Sequence, residues 1–97
     1  MSDAHRIRRM TRREVQTLLD VTEGYLLELE REALIRCDDE GCYLESQVER
    51  VRLCRTLQDE LGVNMAGVEV VLHLLERMDA ERQQFREVLD WLRKSIR

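Results

Sequence analysis

The side chains best placed to do chemistry are carboxylates. Glu23, Glu28 and Glu30 lie in VTEGYLLELEREALIR, with Asp38, Asp39 and Glu40 close behind. Paired carboxylates can move protons, hold a metal ion or attract a cationic surface. Proton transfer in a catalytic site needs a companion base or an activated nucleophile. No histidine accompanies this acidic segment; His5 and His73 are far away in sequence. There is no glycine-rich phosphate loop, and Ser46 is the only serine besides Ser2 and Ser95. The chain is therefore not expected to be an enzyme, and no catalytic residue is assigned. The three cysteines, Cys37, Cys42 and Cys54, form no CxxC pair. They read as small, half-buried residues rather than metal ligands, so neither metal nor cofactor is expected. What remains for the carboxylates is recognition of positive charge.

The distribution of charge says more than its sum of −4. Residues 1–13 hold five arginines and one acid, a net +4. Residues 14–45 hold ten acids and two arginines, a net −8. Residues 46–97 hold nine of each. A basic arm thus precedes a strongly acidic module and a neutral tail. No apolar run approaches the roughly 20 residues that span a bilayer, and no secretory leader pattern opens the chain, so a cytoplasmic protein is expected. A chain of 97 residues suits one small domain burying about 60–65% of its unfolded surface.

The elements that must carry the acids can be read from spacing and caps. Residues 1–10, with the alternation Arg6-Ile7-Arg8, form a basic arm or an edge strand. Thr11-Arg12-Arg13-Glu14 is a capping box, and Val15, Leu18 and Leu19 give the apolar face of a first helix over 12–19. Thr22 can cap a second helix over about 23–32. Its expected inner face is Leu26, Leu29 and Ala33, with Tyr25 beside it; Glu23, Leu27, Glu30 and Arg31 lie opposite. Two short helices joined in this way make a helix-turn-helix. Leu34–Cys37 and Cys42–Leu44 are β-prone, and Asp38-Asp39-Glu40-Gly41 between them is a turn, so a small wing hairpin with an acidic tip is expected. A third helix over about 46–60 stops at Gly62, which completes a module over 11–64.

Residues 65–97 read as one long helical segment. Val71, Leu75, Met78, Arg82, Phe85, Leu89, Leu92 and Ile96 alternate steps of four and three, a coiled-coil seam broken at Arg82. Such a helix would run about 45–50 Å and overhang a small core. Pairing with a second copy through Val71, Leu75, Met78, Phe85, Leu89, Leu92 and Ile96 is expected, which makes a homodimer the predicted state.

The would-be reading helix offers Glu23, Leu27, Glu28 and Glu30, where a DNA-binding protein offers Arg, Lys, Asn or Gln. Together with the acidic wing tip, it would repel a duplex. Val21-Thr22, Leu26 and Glu30-Arg31-Glu32-Ala33-Leu34-Ile35 resemble the MerR superfamily. There the second helix commonly ends in E-R-E-G-L-L, so Ala33 stands where glycine is usual. Val48–Leu53 and Glu60–Leu72 strengthen the likeness, which covers about residues 10–76. It implies a mainly α, MerR-like winged helix-turn-helix with a small β-hairpin and a long C-terminal helix. DNA-binding members typically carry an Arg-Tyr pair where this chain has Leu27 and Glu28.

The chain also resembles the small chaperone-modulator branch, the CbpM type, which keeps the scaffold without an effector domain. That resemblance implies binding to the J-domain of a DnaJ/CbpA-type co-chaperone and restraint of its action on the Hsp70 DnaK. The expected contact residues are Glu23, Leu27, Glu28, Glu30, Asp38, Asp39 and Glu40. The alternative is a DNA-binding MerR-type transcriptional regulator lacking an effector domain.

Overall fold

A computed structural model describes residues 8–95, and the chain divides into two compact units between Val63 and Asn64. The positions Arg6, Ile7 and Ile96, which entered the expectations above, lie outside the described residues.

The first unit opens with strand β1 (Arg9–Thr11), which leads directly into helix α1 (Arg12–Leu19). The capping box is complete. Glu14 N–H donates to Thr11 Oγ1 at 3.1 Å, and Thr11 N–H donates to Glu14 Oε1 at 2.9 Å. These bonds hold the Glu14 carboxyl below its ordinary range, the backbone donation from Thr11 first. Asp20 ends α1 in the left-handed region, at φ 53°. Helix α2 (Glu23–Arg31) begins three residues later, capped by Thr22, whose Oγ1 accepts from Tyr25 N–H at 3.0 Å.

The end of α2 is a Schellman motif. Leu34 N–H returns to Leu29 O and Ala33 N–H to Glu30 O, each at 2.9 Å. The motif needs a left-handed residue at Ala33, and φ there is 59°. Alanine is strained where glycine is not. Placing Ala33 on the turn also leaves it exposed, not on the inner face where spacing had put it.

Strand β2 (Cys42–Leu44) follows, but its partner is not the one expected. It pairs antiparallel with β1, in the register Arg9↔Leu44, Met10↔Tyr43 and Thr11↔Cys42. Residues 34–37 form no strand because their ladder groups are taken by the helix that follows β2. Arg36 N–H donates to Gln47 Oε1 at 2.9 Å, and Leu34 O accepts from Arg50 Nε at 2.6 Å. Leu34 and Ile35 are drawn into the core instead. The wing turn itself is present, closed by Asp38 N–H to Cys42 O at 2.8 Å.

Helix α3 (Glu45–Arg55) continues into a π-helical turn over Thr56–Glu60 and stops at Gly62, where φ is 66°. The core of this unit is Val15, Leu19, Leu26, Leu29, Leu34, Ile35, Tyr43, Val48, Val51, Cys54 and Leu57. Among the described residues, every buried side-chain polar atom has a hydrogen-bond partner.

The second unit is helix α4 (Met65–Ser95), 31 residues long. Asn64 caps it, with Oδ1 accepting from Gly67 N–H at 2.8 Å. Val68 and Leu72 are buried. Of the expected seam, Leu75, Met78, Phe85 and Leu92 are exposed, while Val71 and Leu89 are half-buried. The exposed apolar surface is wider than the seam, since Val70, Leu74, Val88 and Trp91 share it. Among the described residues, no helix is long and apolar enough to cross a membrane.

Candidate functional site

The two sides of α2 divide its acids by role. With 3.6 residues per turn, Leu26 and Leu29 face inward, and both are fully buried. Glu23, Gly24, Leu27, Glu28, Arg31 and Glu32 are exposed and make up the outward face. Leu27, 39% exposed, sits among acids near the middle of this face. Of the expected contact residues on α2, Glu23, Leu27 and Glu28 are therefore free to meet a partner.

Glu30 is not. The spacing argument put it on the outer side, but its carboxylate turns toward the wing strand. Tyr43 Oη donates to Glu30 Oε1 at 2.9 Å, and Arg12 Nη2 reaches both Glu30 oxygens at 3.4 Å. Arg12 Nε donates to Tyr43 Oη at 3.2 Å, and its guanidinium lies 6.0 Å from the ring centroid. Tyr43 is fully buried, so its hydroxyl needs these partners. Burial, followed by the bond to Glu30, raises the Tyr43 hydroxyl above its ordinary value, although the Arg12 bond opposes the rise. Burial and Glu30 also raise the Cys37 thiol. Arg12, Glu30 and Tyr43 thus join α1, α2 and β2. Glu30 is a scaffold residue.

The wing tip is likewise less free than its composition suggested. Arg9 Nε donates to Asp38 Oδ2 at 2.7 Å, and Arg9 Nη2 lies 3.4 Å from Glu40 Oε2. Asp38 Oδ1 accepts from Glu40 N–H at 2.9 Å and Cys42 N–H at 3.0 Å. Asp38 is therefore the organiser of the turn, and these bonds hold its carboxyl low, the Cys42 backbone bond first. Asp39 alone among the three tip acids makes no side-chain hydrogen bond or ion pair with the described residues, and it is exposed.

On the other flank of α2, the Tyr25 hydroxyl donates to Gln58 Oε1 in the π-helical turn. Burial first, then neighbouring Cys54, Asp59 and Glu28, push the Tyr25 hydroxyl up to about 12. Tyr25 is thereby committed to internal packing, and Leu27 remains the apolar residue of the outward face. Sequence reasoning placed Arg31 on the same side as Leu27 but missed Gly24 and Glu32 as its surface neighbours. Projecting α2 from its two buried leucines places all three there.

No cluster of three or more His, Cys, Asp or Glu side chains that could hold a metal exists among the described residues. The arrangement offers a shaped, mostly acidic patch on a rigid helix.

The fold and this helix pair define a helix-turn-helix regulatory domain. The family model for MerR HTH family regulatory proteins matches residues 10–89, so the chain belongs to that family. No curated protein and no solved structure matches the chain.

Proposed function

We propose that this chain is a non-catalytic regulator that binds a basic protein surface, the J-domain of a DnaJ/CbpA-type co-chaperone, and limits its access to the Hsp70 DnaK. The observation that carries this reading is the outward face of α2. Glu23, Leu27 and Glu28 stand exposed, and Leu27 and Glu28 occupy the positions where DNA-binding members typically carry an Arg-Tyr pair. Duplex DNA would meet a like-charged helix there. A basic helix would meet complementary charge around an apolar anchor.

The mechanism is masking. Each exposed ion pair is worth about 0–1 kcal/mol, so affinity rests on several acting together with Leu27, and it falls as salt rises. The exposed apolar face of α4 supports a second part of the reading, pairing with another copy through Leu75, Met78, Phe85 and Leu92.

Isothermal titration of the full chain with an isolated J-domain tests the proposal. Binding that weakens with salt and disappears in the double variant Glu23→Arg, Glu28→Arg is expected. Unchanged binding by that variant sinks the acidic-face mechanism. Specific binding of a DNA duplex in place of the J-domain would instead establish a transcriptional regulator.

A further inference from the structure

The outward face of α2 contains a residue that the fold does not explain. Gly24 lies in the first turn of the helix and is exposed. It is not among the left-handed residues of the described chain segment, residues 8–95, which are Asp20, Ala33, Gly41 and Gly62. A Cβ built there meets one atom within 4 Å, Thr22 Oγ1 at 3.9 Å. Alanine would therefore fit without strain, and it would favour the helix, because glycine loses more conformational freedom on folding. Nothing inside the molecule calls for a missing side chain.

The surroundings supply a reason. Gly24 is one residue after Glu23 and lies three and four residues before Leu27 and Glu28, the spacing of neighbours on a helix surface. All three are exposed. The absent side chain leaves a notch bordered by two carboxylates and a leucine. Glycine at a crossing point lets two backbones approach closely, nearer than the usual 8–10 Å or so between packed helix axes.

We infer that Gly24 is the point at which a basic helix of the partner crosses and packs directly on α2. This deepens the protein-partner reading above and rests on it. The chemistry of the occupant follows from the border of the notch. A small residue sits at the crossing, an apolar side chain lies on Leu27, and Lys or Arg residues one turn to either side reach Glu23 and Glu28. Close approach also removes water from those ion pairs, which strengthens them relative to fully solvated ones. Gly24 thus sets specificity by steric exclusion, while Glu23 and Glu28 set it by charge.

The test uses the full chain, an isolated J-domain as probe, and the variants Gly24→Ala and Gly24→Leu. Affinity is read by titration and stability by the thermal midpoint. A single methyl in a tight crossing should weaken binding by about tenfold, and leucine by about a hundredfold. Neither variant should lower the thermal midpoint, since both residues are better helix formers than glycine. Binding of Gly24→Leu within about twofold of the parent overturns the inference. So does a loss of binding that tracks a fallen midpoint. If the parent chain itself does not bind the J-domain, the partner reading falls and this inference falls with it. If the parent binds and the charge-reversed Glu23→Arg, Glu28→Arg variant does not, yet both Gly24 variants bind normally, this inference alone fails.

Discussion

Glu28 and Glu30 lie two residues apart on one helix and do opposite things. Glu28 faces solvent. Glu30 is half-buried and bonded to Tyr43 and Arg12. The same contrast separates Leu27, 39% exposed, from Leu29, which is fully buried. One side of α2 holds the helix-turn-helix together, and the other is free to change its chemistry. Such a division allows a scaffold associated with DNA reading to keep its packing while its reading surface becomes acidic.

The contrast can be broken in three ways. The largest effect should come from the leucines. Leu29→Ala should cost about 2–5 kcal/mol, because it opens a cavity in a small core, whereas Leu27→Ala should cost less than about 1 kcal/mol. Urea unfolding midpoints compare the two directly; equal losses would mean that the two sides are not distinct. Next come the acids. Glu30→Ala should cost about 1–3 kcal/mol by removing the acceptor for Tyr43 and Arg12. Glu28→Ala should stay within about 0.5 kcal/mol of the parent and weaken J-domain binding. Paired denaturation and titration measurements separate a scaffold acid from a recognition acid. The smallest effect tests where α2 ends. Ala33→Gly should raise stability by about 0.5–1 kcal/mol, since relief of the left-handed alanine exceeds the entropy that glycine adds to the unfolded chain. A lower midpoint for this variant would contradict the Schellman geometry.

Much of this could be read directly from residue order. The capping box at Thr11 and Glu14, the cap at Thr22, the stop at Gly62 and the cap at Asn64 are local signals, and each lies where such signals place it. Glu30 turns away from the outward side that spacing gives it, for a physical reason. Its position borders both faces of the helix, and its direction is decided by Arg12 and Tyr43, residues distant in sequence. The partner of β2 was hidden for the same kind of reason. Leu34–Cys37 has the look of a strand, but Arg50 and Gln47 claim its backbone groups. The tie from Arg9 to Asp38 also has no local signature, so the wing tip read as more open than it is. Ala33 is the instructive exception. The resemblance marked it as a replacement for glycine, and the turn shows what that replacement does to the backbone.

The pairing of β1 with β2 bears on how the chain acquires its fold. Arg9 meets Asp38 across 29 positions, and Arg12 meets Tyr43 across 31. A loop of that length must close before either contact yields anything, whereas α1, α2 and α3 are built from near neighbours. Loop closure therefore predicts that the small sheet assembles late, as a latch thrown over helices already gathered by their packing. A latch of this kind sets how slowly the fold comes apart more than how quickly it forms. Asp38→Ala should accordingly speed unfolding in stopped-flow measurements and leave the refolding rate almost unchanged.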